Sequence, residues 1–164
     1  MEQILNFAKN LSHEEMVSLV KKFVSEEKIR PEEIFTQEKI SLSLLHLLAA
    51  KVQFSARPGT GVKLDFGGVG FWVYKELKHH DRYGSLSPLE AAAFAARLPE
   101  IDGGKWHIMS ALQGKLFNLV RHQFNEFARA NGFPEVIHGN FVVKERAMAA
   151  SPCQMQTYVF TAEV

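Results

Sequence analysis

The densest run of side chains able to do chemistry is Lys78-His79-His80-Asp81-Arg82-Tyr83-Gly84. Imidazole titrates near neutral pH and an adjacent aspartate can fix its tautomer, so this run offers metal binding or general acid–base work. Adjacent histidines on an extended backbone point to opposite sides, however, and no second His/Asp/Glu pair at metal spacing falls on an expected helix. A solvated loop is the plainer reading, and no metal is expected. His107, His122 and His138 are scattered, so only tertiary folding brings any two together. His46 lies within a leucine-rich segment and reads as a core or boundary side chain. No serine or cysteine sits in a nucleophile elbow, and Cys153 follows Pro152 with no base beside it. The chain is expected not to be an enzyme. A hydrolase or nuclease using His79, His80 and His107 or His138 is the alternative.

Two further patterns bear on binding. Gly59, Gly61, Gly67, Gly68 and Gly70 invite a phosphate-loop reading, but no Gly-Lys-Ser/Thr ending follows and no helix opens after them. They read as hairpin turns, and no cofactor is expected. The run Gly68-Val69-Gly70-Phe71-Trp72-Val73-Tyr74 partly echoes the aromatic strand on which RNA bases stack. It departs from that pattern at Val69 and Trp72, and no Lys or Arg precedes Gly68. Core packing is the plainer reading. Lys115, Arg121, His122 and Arg129 share the outer face of a long helix with Asn118 and Asn125, a face that could lie along phosphates. Such a face is usually only solvated. The candidate binding residues are therefore Trp72, Tyr74, His79, His80, Arg82, Tyr83, Lys115, Arg121, His122 and Arg129.

The element that must carry four of these is read as one helix from Gly103 to Pro134. Trp106, Met109, Leu112, Leu116, Phe117, Val120, Phe124 and Phe127 fall on one side of it, and Asn131-Gly132 with Pro134 stop it. Ser12-His13-Glu14-Glu15 is a capping box opening a helix to about Glu26. A proline-initiated turn follows at Arg30-Pro31. Thr36 is read as the cap of a very apolar helix ending near Ala50, and Ser87-Pro88 as the start of an alanine-rich helix to Leu98. Val62–Phe66 and Gly70–Leu77 form a hairpin around Gly67-Gly68, and Phe141–Val143 pairs with Met155–Thr161 in a second. The expected fold is α+β, a four-stranded antiparallel sheet of two hairpins with helices on one face. It is expected as one domain over 1–164, helical to about residue 51.

Length fits a single core, and the lone Cys153 permits a reducing, cytoplasmic setting without requiring it. The N-terminus lacks a signal-peptide pattern and no run approaches a membrane span, so no membrane partner is expected. Net charge is +1. A dedicated nucleic-acid binder shows a stronger basic balance. The excess is local: residues 51–82 carry six basic against three acidic side chains, whereas 1–35 carry five against seven. The leading expectation is a small soluble binding or regulatory protein, of inhibitor, immunity or adaptor type, working through a protein surface. The alternative is a nucleic-acid binder using hairpin 51–82 and the outer face of helix 105–131.

Overall fold

The computed structural model describes residue 7 and residues 10–37, 39–80, 87–136, 141–142 and 156–164. Helix α1, His13–Glu26, opens on the expected capping box, with the Glu15 amide donating to Ser12 Oγ and the Ser12 amide to Glu15 Oε1. Its stripe Met16, Val20 and Val24 is buried. A 3₁₀ turn over Pro31–Thr36 follows, and helix α2 runs Leu42–Ala50. Its cap is Ser41 rather than Thr36: the Ser41 hydroxyl accepts from the Leu44 amide, whereas the Thr36 hydroxyl donates back to the Glu33 carbonyl.

Strands β1 Gln53–Arg57, β2 Gly61–Asp65 and β3 Gly70–Tyr74 form an antiparallel meander. The β2–β3 turn is built as the glycines require. Gly67 and Gly68 adopt φ of 85° and 94°, and both amides donate to Asp65 Oδ1 at 2.9 Å. Strand β4, Lys78–His80, and helix α3, Pro88–Ala96, come next, then β5, His107–Ile108, and helix α4, Ala111–Ala130. Strands β6 Phe141–Val142, β7 Gln156–Tyr158 and β8 Phe160–Glu163 complete the described residues.

The class is α+β, with an antiparallel sheet in the order β1-β2-β3-β8-β5. This is five strands where the sequence pattern gives four. The C-terminal chain crosses between sheets at Val159: β8 pairs with β3 and β5, while β7 joins β4 and β6 in a second sheet. The expected second hairpin does not form, because β6 and β7 run parallel, a pairing that a tight turn cannot make.

Strand alternation divides the five-stranded sheet into two faces. Phe71, Val73, Val62 and Leu64 pack with α1, α2 and α4 in one core, where Phe71 meets Phe35 at 5.3 Å and Phe66 at 5.5 Å. Trp72, Phe160 and Ala162 face the other way, under α3. Among the described residues three of the four helices thus share one face, and the alanine-rich one, against the expectation of helices on one face only, covers the other.

The long helix is shorter than the glycine punctuation implies. Asp102-Gly103 is a tight turn with φ of 48° and 83°, bridged by Ile101 and Gly104, and α4 begins only after Ser110. Trp106 therefore belongs to the opposite core, its indole donating to the Pro99 carbonyl at 2.9 Å.

Candidate functional site

Helix α3 is built to lie close on one side and stand bare on the other. Ser87 and Glu90 close a capping box and Pro88 occupies the first turn, so the short segment starts firmly despite having only nine helical residues. Its inner positions Ala91 and Ala95 are fully buried, and having no bulk beyond Cβ they let the helix settle onto Trp72, Phe160 and Ala162. Phe94 seals the edge, with ring centroids 5.1 Å from Phe160 and 6.3 Å from Tyr74, and Tyr74 in turn lies 5.0 Å from Trp106. The outer positions are equally apolar. Leu89 is 82% exposed, and Ala92, Ala93 and Ala96 lie exposed on the same side. An isolated surface leucine needs no explanation, but four apolar positions in one stripe of a helix make a continuous exposed apolar face.

Charge borders this stripe on one shoulder. A cavity of about 370 Å³ opens there between α3 and β4, lined by Lys78, Glu90, Ala93, Phe94 and Arg97. Lys78 Nζ stands 5.1 Å from the Phe94 ring centroid and 3.6 Å from Glu76 Oε2. Burial, and then the Glu90 carboxylate, raise the Tyr158 hydroxyl above the ordinary tyrosine range; burial, and then Glu76, do the same to Tyr74. A raised folded value means that the neutral phenol is the form the fold favours. The contribution is whole below about pH 10 and is lost as pH rises through the raised values. Thermal melts above about pH 10 will therefore show falling stability, and Tyr158→Phe will flatten that decline.

The other candidates have mixed fates. Trp72 is 3% exposed, with the Arg57 guanidinium 4.6 Å over its ring and that guanidinium paired to Asp102 at 3.2 Å. Its ring faces are not open to a base. Tyr74 is half-buried among aromatic rings. His79 and His80 lie in β4, opposite Thr157 and Gln156; their side chains, and all of Arg82, Tyr83 and His138, fall outside the described residues. Lys115 and His122 are exposed on α4.

Asn125, expected on the solvent side, is buried. Its amide nitrogen donates to the Val136 carbonyl at 2.9 Å and its oxygen accepts from the Val136 amide at 2.8 Å, as a neighbouring strand would. Arg121 donates to the same carbonyl at 3.2 Å, and Arg129 Nε stands 3.7 Å from Glu135. The face read as a phosphate track thus binds the chain's own 133–136 segment. Asn125→Ala will cost about 2 kcal/mol in urea unfolding, because it leaves a buried amide without its acceptor. Arg129→Ala, at an exposed pair, will change stability by about 0.5 kcal/mol or less.

One polar network escaped the sequence reading. His107 Nε2 lies 2.7 Å from Glu163 Oε2 and its Nδ1 lies 2.7 Å from the Ile108 carbonyl. Glu163 Oε1 accepts from Gln113 Nε2 at 3.2 Å, and Gln113 Oε1 accepts from Thr161 Oγ1 at 2.8 Å and from the Ser110 amide at 2.9 Å. Ser110-Ala-Leu-Gln113 is a capping box, the one signal in the sequence that marks this spot. The arrangement resembles a histidine–carboxylate dyad, but both ring nitrogens face acceptors, so neither stands open to a substrate proton. It holds the start of α4 to the sheet.

The molecule is thus an α+β domain with an apolar, charge-bordered helix face. No helix is long and apolar enough to cross a membrane, and no group of three potential metal ligands occurs, among the described residues. No family model matches the chain, and no curated protein or solved structure matches it.

Proposed function

We propose that this protein is a binding or regulatory protein, of inhibitor, immunity or adaptor type, whose contact surface is the outer face of α3. One observation carries the reading: Leu89, 82% exposed, heads a stripe with Ala92, Ala93 and Ala96 on a helix whose opposite side is already packed. Burying such a stripe against a partner releases water at about 25 cal/mol per Å² of apolar area, and the bordering charges supply orientation. The nucleic-acid alternative has less support, since Arg121 and Arg129 are engaged with Val136 and Glu135 and Arg57 covers Trp72. The hydrolase alternative has less still, given the engaged nitrogens of His107.

Leu89→Asp tests the reading by affinity co-purification. The variant keeps its helical circular dichroism, because the side chain touches no core, and loses the proteins that wild type retains. An Arg121→Ala, Arg129→Ala variant keeps them. The reverse pattern, with salt-sensitive nucleic acid on wild type only, favours the alternative.

A further inference from the structure

We infer that the face of α3 is self-complementary and that its partner is a second copy of this chain, packed helix against helix and antiparallel across a two-fold axis. The inference rests on the reading of α3 as the contact face and names its occupant.

Size and charge along the helix both point this way. A two-fold axis between Ala92 and Ala93 sets Leu89 of one copy opposite Ala96 of the other, and Ala92 opposite Ala93. The one large side chain meets the small end of the stripe, twice over, and the alanines at the axis let the two helices approach closely. Glu90 and Arg97 stand seven positions apart on one shoulder, the acid at the start of the helix and the base just past its end. An antiparallel pair keeps that shoulder on the same side in both copies. Each Glu90 then lies about half a turn from the other copy's Arg97, within reach of the long guanidinium. A parallel pair would put the two charged shoulders on opposite sides of the seam, where neither Glu90 nor Arg97 reaches its counterpart.

Within one copy neither group is held in an ion pair among the described residues. Glu90 accepts from the Ser87 amide through Oε1. The cavity beside Ala93, floored by Phe94 and lined by Lys78, Glu90 and the same copy's Arg97, has room for the aliphatic stem of the incoming Arg97 as each copy's own Arg97 turns outward to its mate. One nine-residue helix per copy makes a small interface, so the dimer is weak and forms with rising concentration.

Sedimentation of the full chain over a concentration series tests this. Wild type passes from monomer to dimer. Arg97→Glu and Glu90→Lys each place like charges together and weaken self-association by tenfold or more, on the order of the cost of like-charge contacts. Mixed in equal amounts the two variants restore every pair with opposite sign, and a one-to-one dimer returns. Should Glu90→Lys disturb the cap it shares with Ser87, Arg97→Glu and Ala93→Arg, which leave that cap intact, must each still weaken self-association by tenfold or more. A monomeric wild type at every concentration, or a mixture of two folded variants that stays monomeric, overturns the inference. If wild type is monomeric yet Leu89→Asp still loses co-purified proteins, the contact face stands and only the second copy falls.

Discussion

Gln113→Ala will lower unfolding free energy by about 3–5 kcal/mol, most of it from donors left without acceptors in a buried place. Gln113 is fully buried and serves four bonds: its amide donates to Ser110 Oγ, its side-chain oxygen accepts from Ser110 and Thr161, and its side-chain nitrogen donates to Glu163. Truncation removes half of a capping box and strands the Thr161 hydroxyl beneath the helix. Adding Thr161→Val to the same variant will cost little more or recover part of the loss, since removing both partners avoids the desolvation penalty. Urea titrations of the two singles and the double complete the cycle. Additive losses would mean that the two side chains do not depend on one another.

Phe71→Ala will have an effect of similar size, about 3–5 kcal/mol, through a cavity rather than a stranded donor. Phe71 is fully buried at the centre of β3, between Phe35 and Phe66. It joins the 3₁₀ turn, the hairpin and the helices into one core, and little can collapse into the space it leaves. Against a typical total of about 5–15 kcal/mol, the variant sits near the edge of folding. Calorimetry reads the result, and a loss of only about 1 kcal/mol would show that this core repacks freely.

Local signals in the sequence were reliable where the structure is local. The Ser12 capping box, the helix start at Ser87-Pro88 and the Gly67-Gly68 turn occur as read, because each is decided by residues within four positions. Errors arose where distant pairing decides. Strand β1 has only Phe54 and Ala56 turned inward, a pattern too thin to announce itself, and Phe54 finds its place by stacking 5.6 Å from Phe127 of α4. Gly103-Gly104 resembled a helix start, but the turn there serves the Ile101–Gly104 bridge, and Ser110 is the true cap. The His107–Glu163 contact spans 56 positions, and the crossing of the last strand between sheets depends on β3, β4 and β5 together.

The candidate face was only half legible. An alanine-rich helix was evident, but Pro88–Ala96 is apolar all round except at Glu90, so periodicity alone does not say which side is bare. Burial settles it: Ala91 and Ala95 meet the sheet, which leaves Leu89, Ala92, Ala93 and Ala96 outside. The outer side of α4 shows the converse. It reads as a free polar face, yet Asn125 and Arg121 spend their hydrogen bonds on Val136.

The most direct test of the contact face is photo-crosslinking in the living host, with a light-activated residue placed at Ala93 in one variant and at His122, on the outer side of α4, in another. Crosslinked protein from position 93 that disappears on adding Leu89→Asp, with none from position 122, is the result expected from an α3 contact surface. Crosslinks from position 122 and none from position 93 would contradict it and move the binding surface to α4.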